Sequence, residues 1–261
     1  MNLSRLIRNL IRPYYYGLRF AVSRGRATVD VAGTHANFLV GSSAELQRVK
    51  GLRGERDLVS ILLSNVRPGD VFWDVGANIG THSILVGNKT GPKGNVVAFE
   101  PEPGAANRVR QNASENAGIQ VAIVGSPLGS SLKTSTLYVD DADSSGRHTL
   151  APTDDFRSVT VNVVTGDSVV QSGEAQQPNL MKIDVEGYEL EVLRGMPETL
   201  SSPSLRFVIC EVHVSFLEAK NEQPDQVQEL LAAAGFNKFD RSFRGNEFHL
   251  FATRTNPNSG A

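Results

Sequence analysis

The chain has a single cysteine, Cys210, in 261 residues. No disulfide can close within it, and no cysteine cluster can hold zinc or an iron–sulfur centre. No apolar run reaches the roughly 18 residues that a membrane-spanning helix needs. A charge excess is lacking too: 26 basic residues against 28 acidic ones leave a net −2, which argues against a dedicated nucleic-acid binder. What is present is a composition 40% hydrophobic and 21% charged, enough for a sizeable core and too apolar for global disorder. The length suits one large domain with or without an added segment.

The neutral total hides an asymmetry. Residues 1–30 carry Arg5, Arg8, Arg12, Arg19, Arg24 and Arg26 against one acid, Asp30, so a basic arm precedes an acidic body. Leu3, Leu6, Ile7, Leu10 and Ile11 have the spacing of one apolar helix face. The arginines fall opposite, and Pro13 limits the helix. Two readings follow: a helix packed on the body with solvated arginines, or an interfacial helix drawn to anionic lipid. Tyr14, Tyr15 and Tyr16 suit either. The arginines interrupt the apolar run and no small-residue cleavage site follows, so the segment is a poor match to a signal peptide.

Residues 27–40 alternate around Gly33-Thr34 and predict a hairpin, and residues 55–65 predict a helix. From Asp70, short apolar runs alternate with helical patterns: VFWDV, THSILVGN, NVVAF, AANRVRQNASENA, QVAIV. That alternation is the mark of βαβ units and a parallel sheet. Residues 126–166 are strand-like and polar. LMKIDV, a helix near 187–195, RFVICEV, the helix DQVQELLAAAG and two closing strands complete the pattern, before a loose polar tail.

The first chemical feature is the loop Asp74-Val75-Gly76-Ala77-Asn78-Ile79-Gly80 between a strand and a helix. Glycines let the backbone turn tightly and approach a ligand, and a helix N-terminus offers N–H donors. Glu100 ends the next strand, 20 residues beyond Gly80, where an acid can reach ribose hydroxyls. The spacing misses the third glycine of the dinucleotide fingerprint, and a pyrophosphate would repel Asp74. S-adenosylmethionine has one ribose, no phosphate, a sulfonium and an α-amino group, and it gives both acids a role. Glycines serving packing alone are the bland alternative.

A second cluster, Lys182-Ile183-Asp184-Val185-Glu186-Gly187-Tyr188-Glu189, follows an apolar strand, and strand alternation would put Lys182, Asp184 and Glu186 on one side. Ligands bind beyond the carboxyl ends of parallel strands, so this cluster faces the same crevice as the loop. The next strand ends in Cys210-Glu211-Val212-His213. His213 titrates nearest neutrality and is a candidate base for a hydroxyl nucleophile. The bland alternatives are a satisfied structural histidine and, for Glu186 and Glu189, plain helix N-terminal charges.

WDVGANIGTHS, AFEPEP, QVAIVGSPLGSSLKTSTLYVD, VTGDSVV, MKIDVEGYELEVLRG and CEVH together resemble the FkbM-type family of S-adenosylmethionine-dependent methyltransferases, over roughly residues 53–254. The KIDVEGYE block is the most family-specific piece; the glycine loop is shared with many class I methyltransferases. The resemblance implies a Rossmann-like α/β fold: a seven-stranded, mostly parallel sheet with an antiparallel last strand and helices on both faces. It implies O-methylation of sugar or natural-product hydroxyls. By motif position it places Asp74, Gly76, Asn78 and Gly80 at the cofactor loop, Glu100 on the ribose and Asp184 near the transferred methyl; Ala77, Thr81 and Ser126 complete the candidate cofactor set. Two departures stand out: His82 and Ser83 where aromatic or small residues are usual, and Gly166, before Asp167, where a leucine is more typical.

The expected organisation is a basic N-terminal extension at 1–52 (amphipathic helix and hairpin), a methyltransferase domain at 53–254 and a disordered tail at 255–261. Direct methyl transfer needs alignment more than covalent catalysis. His213 is the first candidate base and Asp184 the second, with Lys182 easing a developing oxyanion or pairing with an acid. The expectation is no metal, although Asp184, Glu211 and His213 offer hard ligands. Rival readings are an RNA 2′-O-methyltransferase, a non-catalytic cofactor-binding module and a nicotinamide oxidoreductase. The acceptor is a small molecule or glycan rather than nucleic acid. The expected location is cytoplasmic, with residues 1–20 offering peripheral contact to the inner membrane face.

Overall fold

The computed structural model describes residues 14–139, 148–149 and 157–255. The amphipathic pattern at 3–12 and the tail at 256–261 lie outside the described residues. Residues 14–23 are helical, and a hairpin follows, β1 (Arg26–Val31) and β2 (Thr34–Leu39), as its alternation predicts. Then come α1 (Ser43–Gly51), capped by the Ser42 hydroxyl on Glu45 N, a 3₁₀ turn at Leu52–Gly54, and α2 (Arg56–Asn65).

The βαβ pattern folds as β3 (Val71–Val75), α3 (Thr81–Thr90), β4 (Asn95–Phe99), α4 (Pro103–Ser114) and β5 (Val121–Val124). The polar middle forms a separate three-stranded sheet of β6 (Lys133–Val139), β7 (His148–Thr149) and β8 (Arg157–Val163), in the order β7-β6-β8. After α5 (Gly166–Gln171) come β9 (Leu180–Ile183), α6 (Glu189–Arg194), α7 (Pro197–Ser201) and β10 (Phe207–His213). The chain closes with α8 (Val214–Ala219), α9 (Asp225–Ala233), β11 (Lys238–Arg244) and β12 (Glu247–Thr253).

The main sheet has seven strands in the order β11-β12-β10-β9-β3-β4-β5. The pairs from β10 to β5 are parallel, and β12 is antiparallel to both its neighbours. This is the expected fold, with the antiparallel last strand inserted between β11 and β10 rather than left at the edge. A hairpin can join β11 to β12, whereas a parallel neighbour would need a crossover.

Alternation along β3 sorts the core. Trp73 and Val75 face a cluster with Leu190, Leu193 and Leu231 from α6 and α9. Phe72 faces the other way, into a cluster with Phe38, Leu46, Leu62, Ile84 and Leu85 from β2, α1, α2 and α3. Each large apolar side chain so buried contributes roughly 1.5–3 kcal/mol. The N-terminal elements thus form one of the two layers over the sheet. Asp74 and Lys182, cross-strand partners in the β3–β9 register, alternate with Trp73, Met181 and Ile183 and so project toward this N-terminal layer.

Candidate functional site

The carboxyl ends of β3, β4, β9 and β10 converge. Gly76, just past β3, has φ +83°, and a Cβ there would lie 1.9 Å from the Asp184 carbonyl oxygen. Only glycine lets these two strand ends meet. Asp184 N donates to Val75 O at 3.0 Å, fixing the second strand end to the first.

The glycine loop spends its own donors. Gly76 N and Ala77 N both donate to Phe99 O, Gly80 N to Ala77 O, Ile79 N to Asn78 Oδ1 and Asn78 N to Glu100 Oε2, all between 2.7 and 3.2 Å. The N–H groups expected to point at a ligand are therefore satisfied internally from Gly76 to Gly80. A pyrophosphate would find no free donor along that stretch.

Asp74 is fully buried. Its Oδ2 accepts from Ser83 Oγ at 2.6 Å, and its Oδ1 has no hydrogen-bond partner. Burial pushes its carboxyl above the usual carboxylate range, with Lys182 and Ser83 pulling the other way. Ser83, a departure from the resembled motif, is thus the residue that holds Asp74. Glu100 is also buried, taking Asn78 N on one oxygen and Glu102 N on the other. Burial outweighs those two donors and pushes it up to about 7. Thr81 Oγ1 is a further buried polar atom with no hydrogen-bond partner. Ser126 is half-buried, two residues past β5 at the same end of the sheet.

Lys182 is buried and donates to Asp184 Oδ2 at 3.0 Å. Burial alone would lower its pKa, but Asp184, Asp74, Glu211 and Glu55 together hold it above the usual lysine range, firmly charged. Strand alternation stops at Ile183, and Glu186 turns away with φ +48°. That turn, rather than strand alternation, sets Glu186 beside Asp184, and both carboxylates face His213 Nε2.

His213 ends β10, nearly enclosed. Its Nδ1 lies 2.6 Å from Glu189 Oε1; its Nε2 lies 3.5 Å from Glu186 Oε2 and 4.0 Å from Asp184 Oδ1. Burial pulls the ring's pKa down, but the Glu189 hydrogen bond and the charges of Glu189, Asp184 and Glu186 outweigh it, raising the ring to about 10. Glu189 Oε1 also accepts from Gly187 N at 2.9 Å. Glu189 is thus fixed on the imidazole rather than serving as a solvated helix-terminal charge.

Gly76, Ala77, Asn78, Thr81, Lys182 and Asp184 line one narrow cleft. Its opposite wall was not legible in the sequence. Arg48 of α1, Leu52 and Glu55 close it, with Arg48 Nη1 donating to Asn78 Oδ1 at 2.5 Å and Arg244 Nη1 donating to Glu55 Oε1 at 2.5 Å. Glu211 pairs with His249, not with Asp184, at 3.5 Å across the β10–β12 register. Asp167 lies away from the cleft: it caps α7, accepting from Glu198 N, Thr199 N and Thr199 Oγ1.

Comparison with known proteins gives consistent matches. The Methyltransferase FkbM domain family matches residues 74–238. The hexuronic acid methyltransferase AglP of Haloferax volcanii is 34% identical over 246 residues, covering 93% of this chain and 95% of that protein. The 31-O-demethyl-FK506 methyltransferase FkbM of Streptomyces tacrolimicus is 30% identical over 222 residues, covering 72% of this chain and 82% of its own.

Proposed function

Given that the chain belongs to the FkbM methyltransferase family, we propose that it transfers a methyl group from S-adenosylmethionine to a hydroxyl of a sugar, glycan or natural-product acceptor. The observation that carries this reading is the meeting of the glycine loop with Asp184, through Gly76. The relatives named for a hexuronic acid and for a demethylated natural product support the acceptor class.

The residues fit this cofactor. The loop offers no donor row to a pyrophosphate, while Asp74 Oδ1 and Thr81 Oγ1 are buried polar atoms awaiting partners. Gly76, Ala77, Asn78, Gly80 and Thr81 would hold S-adenosylmethionine, with Asp74 near its amino-acid end, Glu100 on the ribose hydroxyls, Ser126 at the rim and Asp184 near the methyl. When bound, it supplies a methyl group on a sulfonium cation.

The protein's own task is alignment and proton uptake. Asp184 lines the cleft and His213 Nε2 lies 4.0 Å from its Oδ1; these two are the proton acceptors of this reading, and Glu189 holds the ring in place. The ring must first give up its resting proton, which becomes easier when positive charge is brought beside Asp184 and Glu186. Lys182, charged and buried in the cleft wall, stabilises negative charge developing on the acceptor oxygen.

In this reading residues 53–254 form the catalytic domain and residues 1–52 an extension that closes its cleft through Arg48 and Leu52. Tyr14, Leu18 and Val22 are largely exposed on the helix at 14–23, with Arg19, Arg24 and Arg26 nearby in sequence. That arrangement supports peripheral contact with an anionic membrane at its cytoplasmic face. No helix among the described residues is long and apolar enough to cross a membrane.

Thermal shift tests the cofactor reading, because a ligand that binds only the folded state raises its stability. S-adenosylmethionine is expected to raise Tm and NAD to leave it unchanged; the reverse would remove the proposal.

A further inference from the structure

His213 is buried, and its ring is fixed from behind. Glu189, itself fully buried, holds Nδ1 at 2.6 Å, so Nε2 can face only one way. It faces between two carboxylates, 3.5 Å from Glu186 Oε2 and 4.0 Å from Asp184 Oδ1, and makes a hydrogen bond to neither. Asp184 uses its other oxygen, Oδ2, for Lys182. The three donor atoms lie within 4.8 Å of one another. An imidazole whose far nitrogen is held by a carboxylate is the usual outer support of a metal-ligating histidine.

The other His–carboxylate groupings among the described residues are less suited. Glu55, Glu211 and His249 are all buried, and Arg244 already pairs with Glu55. Glu211 with His213 and Glu247 needs the same ring. The cluster of Asp184, Glu186 and His213 differs in burial: both of its carboxylates are only half-buried, and Asp184 lines the cleft, so an ion and its further ligands can reach them.

We propose that Asp184, Glu186 and His213 form a divalent-cation site, suited to Mg2+ or Mn2+, that holds two adjacent oxygens of the acceptor beside the methyl donor. The two carboxylate oxygens match these cations, which keep open positions for further oxygen ligands, and the imidazole completes the set as a softer third ligand. A sugar with neighbouring hydroxyls, or a hydroxyl next to a carboxylate, would fill two such positions. The inference rests on the methyl-transfer reading and deepens it. With the cation in place His213 is a ligand rather than a proton acceptor. Beside the cation the acceptor's O–H would be more acidic and would lose its proton to water; the oxygen electron pair would then form the O–CH3 bond as the S–CH3 bond breaks, and S-adenosylhomocysteine would leave with that bond's electron pair on sulfur.

The test is Mn2+ binding by the full EDTA-treated chain, read as free Mn2+ by electron paramagnetic resonance. One Mn2+ per chain is expected. Glu186→Gln should lose that binding, and Glu189→Gln should weaken it roughly 10- to 100-fold. Both variants should keep the wild-type thermal shift with S-adenosylmethionine, which shows that they are folded. Wild-type protein that binds Mn2+ no more tightly than Glu186→Gln would overturn the site. So would an EDTA-treated chain that transfers methyl as fast as the Mn2+-loaded one, and that result would leave the methyltransferase reading standing with His213 as base. Loss of the S-adenosylmethionine thermal shift in the wild type would instead strike at the methyltransferase reading.

Discussion

His213 Nδ1 and Glu189 Oε1 lie 2.6 Å apart, joining the end of β10 to the first residue of α6. The contact fixes which ring nitrogen faces Asp184 and Glu186, and it ties the titration of the imidazole to one buried carboxylate.

Removing that charge should release the ring. In Glu189→Gln, free of metal and cofactor, the His213 pKa is expected to fall from about 10 to below about 9. An NMR titration of the imidazole measures it directly. An unchanged pKa would mean that Asp184 and Glu186 alone hold the proton.

Gly76 should be the least replaceable position of the loop. Gly76→Ala sets a Cβ against the Asp184 carbonyl oxygen at φ +83°, and a backbone atom cannot move aside as a flexible side chain does. The expected cost exceeds about 3 kcal/mol. Gly33→Ala is the control: φ is +73° with nothing within 4 Å, so only backbone strain of about 1 kcal/mol applies. Urea midpoints compare the two, and equal losses would refute the close approach.

Glu100 should make cofactor binding depend on pH. Its carboxyl ordinarily titrates at 4.5 and is pushed up to about 7 in the fold by burial. The folded state therefore holds a proton that the unfolded chain has already released. This group's stabilising contribution is full below about 4.5 and is lost as pH rises through 7. Ribose hydroxyls donate better to the ionised form, so S-adenosylmethionine should bind up to about tenfold more weakly at pH 6 than at pH 8. Calorimetry at the two pH values measures this. In Glu100→Gln the dependence should vanish, and a wild type without it would remove Glu100 from the ribose.

The basic arm should bind membranes through charge and exposed apolar side chains together. Vesicles rich in anionic lipid are expected to sediment the full chain and to release it at high salt. A chain lacking residues 1–20 should stay in the supernatant. Sedimentation unchanged by that deletion would dispose of the membrane contact.

Much of this fold is legible because parallel strands buried on both faces read as short apolar runs, and VFWDV, NVVAF, LMKI and RFVICEV all do so. The strand-end acids were legible for the same reason: polar residues closing such runs stand out. The cleft's other wall was not. Arg48, Leu52 and Glu55 precede the recognisable motifs, and nothing local marks them as neighbours of Asn78 and Lys182. Tertiary packing of the N-terminal layer brings them there. Glu189 was visible only as a charge near a helix start; its pairing with His213 spans 24 residues and two elements. Glu186 lies three residues beyond the end of β9, and its own turn at φ +48°, which strand periodicity does not describe, sets it beside Asp184.

The most direct test of the account is methyl transfer itself. Labelled S-adenosylmethionine is incubated with a panel of hydroxyl-bearing sugars that includes hexuronic acids, and label in the isolated acceptor is counted. The account predicts transfer by the wild-type chain, supplied with Mn2+, to at least one sugar, with His213→Ala and Asp184→Ala each reduced roughly 100-fold or more. Wild-type rates in both variants, or no labelled sugar from a chain that binds S-adenosylmethionine, would contradict it.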